Sequence, residues 1–221
     1  MTTIETQTTA LGRPADPYRL GRADATATGH DEGGPASERV IIAFGFWIFL
    51  LSDIVMFSAF FAAHAVLQTA TDNGPSGRDL FDPTMVAIET ACLLASSFTC
   101  GLSAVATDAR NHIWTQAALL ATGLLGLAFL SLEAHEFYGM ITSGAGPDRS
   151  AFLSSFFALV GLHGVHVSVG LLWLGTMMAQ LLVKGFEPVL SRLICFNLYW
   201  HVLDIIWIAI FTVVYLIGEG R

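Results

Sequence analysis

Charge is what this sequence has least of. Of its 221 residues only 13% are Asp, Glu, Lys or Arg, 54% are hydrophobic and mean hydropathy is +0.63, a balance that excludes an ordinary soluble domain and reads as a polytopic membrane protein. Cysteine is scarce too. Cys92, Cys100 and Cys195 all fall in apolar runs without CxxC or zinc-finger spacing, so they read as reduced packing residues. GxGxxG loops, P-loops and nucleophile elbows are missing, which leaves no sign of nucleotide binding or acyl-transfer chemistry. The net charge of -8 implies no nucleic-acid partner, because much of the acid lies in the tail and loops.

What the chain has in abundance is long apolar runs. Residues 1–38 are rich in Thr, Ala, Gly, Asp and Pro and lack an apolar core for a secretory signal, so they are expected to form a disordered cytoplasmic tail. Residues 39–221 then carry five runs, about Val40–Leu67, Thr84–Ala106, Ile113–Tyr138, Ala151–Val183 and Leu193–Ile217, each as long as the roughly 20 residues that cross a bilayer. The expected fold is all-α, a bundle of five transmembrane helices. Pro83 is placed to open the second. With the amino terminus inside, seven basic residues (Arg13, Arg19, Arg22, Arg39, Arg110, Lys184, Arg192) are cytoplasmic and three (Arg78, Arg149, Arg221) are external, which favours N-in and C-out.

Apart from Glu136 at the edge of the third, four acids nonetheless sit inside the runs: Asp53, Glu89, Glu133 and Asp204. A charge at mid-bilayer costs roughly 2.5–3.5 kcal/mol on insertion scales, so each needs a partner or a task. His201 and Trp200 precede Asp204 by three and four residues on one helical face, making His201 and Asp204 a candidate pair. At about 1.5 Å rise per residue, Asp53, His163 and Asp204 each lie on the order of 16–20 Å in. With His166 and His201 they form an expected central layer. Glu89 and Glu133, with His135 and Glu136, form an expected outer one.

Each residue has a plain reading beside a functional one. Asp53 either bonds a neighbouring helix, delivers protons or contacts lipid. Glu89 and Glu133 are either a satisfied structural pair or a pair sharing a proton across two helices. His163 and His166, in GLHGVHVSVG, stand one turn apart but lack the further ligands of a metal site; Gly161, Gly164, Ser168 and Gly170 beside them suggest close helix approach instead. His64 and His112 near helix ends, and His30 in the tail, are expected to be solvated. The aromatics of the first run, Trp47 among them, read as a packing or lipid-facing belt.

Four stretches, GFWIFLLSDIVMFSAFFA (45–62), LEAHEFY (132–138), FFALVGLHGVHVSVGLLWL (156–174) and YWHVLDIIWIAIFTVVYLIG (199–218), resemble subunit III of the haem-copper terminal oxidases. The likeness spans about residues 40–218. Members usually have seven spans; the five-span form looks most like subunit III of the cytochrome o type ubiquinol oxidases. Resemblance implies a non-catalytic subunit, without redox centre or metal of its own. Its complex would be a proton-pumping quinol oxidase of the aerobic respiratory chain, in the bacterial cytoplasmic membrane. Haem and copper belong to subunit I in that family; subunits I, II and IV, phospholipid and ubiquinol are the implied partners. Asp53 matches the family's intramembrane carboxylate, usually glutamate in the cytochrome c oxidases, and is one methylene shorter. His163, His166, Trp200, His201 and Asp204 also match motif positions, and Trp207 falls in the same stretch. The chain is expected to stabilise subunit I and hold lipid beside its proton uptake path. An accessory subunit of a nitric oxide reductase or of a cytochrome c oxidase stays open, as does, in another class, a proton-coupled transporter.

Overall fold

A computed structural model describes residues 38–72, 82–186 and 189–216. The chain divides into two units, Met1–Ile42 and Ala43–Arg221; the described residues of the first open a helix. The expected tail thus lies outside the described residues except for Glu38, which is already helical.

The described residues form five long helices and no strand: α1 (Glu38–Leu67), α2 (Pro83–Asp108), α3 (His112–Thr142), α4 (Ala151–Lys184) and α5 (Leu190–Ile210), the last continuing as a π-helical turn, Phe211–Leu216. All five are long and apolar enough to cross a membrane. Their boundaries follow local chemistry. Asp82 caps α2 by accepting from the Thr84 amide at 2.9 Å, with Pro83 in the first turn where its missing N–H costs nothing. Asn111 and Ser150 cap α3 and α4 in the same way. Gly185, at a φ of 74° and a ψ of -168°, ends α4 in a backbone conformation essentially confined to glycine.

Apolar burial cannot drive helices together inside lipid, which is itself apolar, so packing shape and hydrogen bonds must do so. Between α2 and α3 this falls to small hydroxylated residues. Ser96 Oγ donates to the Thr122 carbonyl at 3.1 Å, and the hydroxyls of Thr99 and Thr122 meet at 2.9 Å. Gln116 Nε2 ties α3 to α4 through the Met178 carbonyl at 2.9 Å, and Asn197 Nδ2 ties α5 to α2 through the Cys100 carbonyl at 3.2 Å.

Two tryptophans seven residues apart set the register of α5 against α2. Trp200 Nε1 donates to Ser96 Oγ at 2.9 Å and Trp207 Nε1 to Thr90 Oγ1 at 3.1 Å, an antiparallel match. The Trp200 ring also needs two glycines. A Cβ at Gly126 of α3 would stand 2.9 Å from it, and so would one at Gly170 of α4. One indole therefore fastens three helices to the fourth. The expected glycine seam on α4 is real, but it receives side chains, not a neighbouring backbone: Gly170 faces the Trp200 and Tyr199 rings and Gly164 faces the Glu133 carboxyl.

Helix α1 joins along a narrower line. Leu50, Phe57 and His64, spaced by seven, are buried, while Phe44, Ile48, Val55 and Val66 are exposed. His64 corrects an expectation. It is not solvated but 2% exposed, with Nδ1 3.0 Å from Ser155 Oγ of α4 and its ring against Phe152. The helix end fails as a guide to solvation because the segment after α1 folds back on α4, where the Phe152 amide donates to the Ala70 carbonyl at 3.2 Å. His112 is exposed, its ring 4.0 Å from that of Phe186, and His30 lies outside the described residues.

Candidate functional site: a polar axis inside the bundle

The polar residues expected at the core line up along α5 and the helix faces against it. At the deeper end, α5 brings His201 and Asp204 to α2. They do not bond each other. His201 Nδ1 lies 2.7 Å from Ser97 Oγ, and the same hydroxyl is an electrostatic neighbour of the Asp204 carboxyl. Ser97 is a residue the sequence reading missed. Residues three apart share a helix face, and a short hydroxyl on the facing helix lies near both. Asp204 is 8% exposed and its Oδ1 has no partner among the described residues.

Above it, His163 of α4 is wholly buried and neither ring nitrogen finds a protein partner among the described residues. Its surroundings are rings: Trp207 at 5.3 Å, Phe129 at 5.8 Å and Phe57 at 6.5 Å between centroids. Four helices contribute to this box. His166, one turn on, bonds its own helix instead, with Nδ1 2.8 Å from the Leu162 carbonyl, and its ring lies 5.2 Å from Phe57. Among the described residues, no group of three or more His, Cys, Asp or Glu side chains is placed to hold a metal.

Glu89 of α2 and Glu133 of α3 are 1% and 4% exposed, and each has an Oε2 without a hydrogen-bond partner among the described residues. They interact electrostatically with each other and with half-buried Glu136, and Tyr215 of the π-helical turn shares their field. His135 and Tyr138 are exposed. The separation into two layers does not survive. Helix α3 runs to Thr142, past the expected end at Tyr138, which sets Glu133 nine residues in from the end rather than five. Its carboxyl accordingly reaches Gly164, the residue after His163. Likewise Thr90, next to Glu89, is level with Trp207. The polar groups form one graded axis, from Ser97, His201 and Asp204 to the glutamates.

Asp53 stands apart from that axis. Half-buried on α1, it faces a cleft of about 280 Å³ between α1, α4 and α5, with Phe46, Phe49, His166, Trp173 and Tyr199 among the walls. Its electrostatic neighbour is Tyr199. Trp47 is 39% exposed.

Comparison with known proteins places this arrangement. Residues 23–219 match the family described as cytochrome c oxidase subunit III. The cytochrome bo(3) ubiquinol oxidase subunit 3 of Pseudomonas aeruginosa is 48% identical over 197 residues, 89% of this chain and 94% of that protein. That of Pseudomonas putida is 45% identical over 79% of this chain and 84% of its own length, and the quinol oxidase subunit 3 of Bacillus subtilis is 44% identical over 80% and 87%. A match over nearly the whole membrane domain, at this identity, is decisive: the chain is an integral membrane protein of the cytochrome c oxidase subunit III family.

Proposed function

We propose that this chain is the subunit III of a quinol-oxidising haem-copper oxidase of a bacterial cytoplasmic membrane, lying N-in and C-out. There it stabilises subunit I and holds phospholipid beside the region where protons enter. The observation that carries the reading is the near end-to-end similarity, 48% identical, to a ubiquinol oxidase subunit 3. The internal polar axis supports it. In a chain whose α5 is satisfied largely from within, by Ser96, Thr90 and the glycines of α3 and α4, buried polarity organises a rigid bundle that another subunit can lean on. Haem and copper, in this reading, reside in subunit I, with subunits II and IV completing the assembly and ubiquinol as the substrate of the whole. The excess of basic residues on the segments preceding α1, between α2 and α3, and between α4 and α5 supports the orientation.

Purification of the complex tests this directly. Subunits I, II and IV are expected to co-elute with this chain, with a haem absorption spectrum and ubiquinol-dependent oxygen uptake. Deleting the chain should leave initial turnover measurable while shortening the working life of the enzyme. Co-elution with a nitric oxide reductase, or oxidation of cytochrome c in place of ubiquinol, would overturn the assignment. An Asp204→Ala complex that assembles normally, with unchanged turnover and lifetime, would remove the polar axis from the explanation.

A further inference from the structure

The cleft at Asp53 is lined by groups that complement one chemistry. Its walls are set before anything enters. Trp173 meets Phe46 and Tyr199 edge to face, each at 5.8 Å, and packs on Phe196 at 5.8 Å. The Tyr199 hydroxyl is committed to the His166 carbonyl at 2.8 Å. Such fixed rings bind a flat partner at little cost in lost freedom.

The polar groups in the cleft are acceptors. A carbonyl oxygen cannot donate, so the 2.8 Å contact from His166 Nδ1 to the Leu162 carbonyl puts a proton on Nδ1, and in the neutral imidazole Nε2 then carries a lone pair. Nothing among the described residues bonds Nε2, and nothing bonds the Asp53 carboxyl. Val165 and Val169, at the mouth, are 59% and 53% exposed on an apolar helix face, so the cleft opens where lipid would lie. Its volume of about 280 Å³ falls just below the range for drug-sized ligands, about 300 Å³ and upward.

We propose that this cleft binds the aromatic head of a hydroquinone arriving through the bilayer. The ring lies against Phe46, Phe49 and Trp173, one hydroxyl donates to the Asp53 carboxyl, and His166 Nε2 is the second acceptor. An acyl chain would fill the aromatic slot but leave both acceptors unsatisfied. Binding alone is assigned: the cleft holds substrate near the complex, and oxidation takes place elsewhere. The inference rests on reading the complex as a quinol oxidase. Ubiquinol-dependent oxygen uptake, measured on the same preparation, separates failure of that reading from failure of the site.

The test uses the intact complex under anaerobic conditions, an azido-substituted ubiquinol as photolabel, and mass spectrometry of the labelled peptides. Label is expected on the α4 peptide containing Val165 and Val169, falling about tenfold with excess unlabelled ubiquinol and unaffected by excess phospholipid. Val169→Trp, which fills the mouth, should reduce that label about fivefold or more in a complex that still co-elutes. Absence of label on this peptide overturns the proposal, as does label displaced by phospholipid but not by ubiquinol, or label unchanged in V169W. Should V169W not assemble, the competition in the unaltered complex decides by itself.

Discussion

Helices α1 and α5 are alike in apolarity and unlike in everything else. In the most apolar stretch of α1, 11% of residues are buried inside the chain; in that of α5, 61% are. The buried residues of α1 form a line, Leu50, Phe57 and His64, whereas α5 adds Cys195, Val202 and Ile206 to the stripe of Phe196, Tyr199, Trp200, Leu203, Asp204, Trp207 and Ile210 and so buries more than half of its circumference. Hydropathy marks both as spans, because lipid and protein interior are equally apolar solvents for a side chain. What separates them is polar and small residues on other helices: Ser96, Thr90, Gly126 and Gly170 accept the rings of α5. Among the described residues helix α1 has one such tie, from His64 to Ser155, and an exposed outer face for lipid or another subunit.

If α5 is the internal axis, the largest effect should come from Trp207→Ala. It removes a fully buried indole that touches Phe129, His163 and Thr90, and about 3–5 kcal/mol of stability should go with it. Thermal aggregation of the detergent-solubilised chain measures the loss, and a change within error would dissolve the contrast. Next, Phe57→Ala tests whether the single line on α1 matters. Phe57 is 1% exposed and meets both His163 and His166, so a loss of similar kind, up to about 3–5 kcal/mol, is expected. Protease accessibility of the α1 to α2 connector reads it. If cleavage is unaltered, α1 is not held by its buried line.

A smaller effect belongs to Gly164→Ala, whose new methyl would stand 2.9 Å from Glu133 Oε1. Overpacking of this sort costs about 1–3 kcal/mol, and Glu133→Ala in the same chain should recover most of it. A double-mutant cycle on thermal midpoint decides, and additive losses would deny the contact. Ser97→Ala should cost about 0.6 kcal/mol and no more than about 1.7, the range for hydrogen bonds in membrane bundles, because it strands His201 Nδ1. Ser97→Thr, keeping the hydroxyl, should behave closer to the parent. Smallest of all, Val55→Ala on the exposed side of α1, where Val55 is 69% exposed, should stay within about 0.5 kcal/mol in the isolated chain. A larger loss in the assembled complex than in the isolated chain would mark that face as a subunit interface.

The five helices, and the family, were legible in the order of residues, since a run of some twenty apolar side chains has only one stable form in lipid. So was the presence of buried acids and histidines, because an ionisable residue in such a run is conspicuous. Their partners were not. His201 and Asp204 suggested each other by spacing, yet His201 bonds Ser97, an unremarkable residue 104 positions away that also neighbours Asp204. His64 looked solvated from its place at a helix end and is held by Ser155. Glu133 looked peripheral because helix length was inferred from where apolarity fades, while α3 continues to Thr142. Periodicity along one helix specifies which residues share a face; which face meets which neighbour depends on side chains far away in the chain. Only the packed bundle, in which Trp200 enters between Gly126 and Gly170 and Trp207 reaches Thr90, decides that, because hydrogen bonds and van der Waals contacts act over a few ångströms and have no counterpart in the linear order.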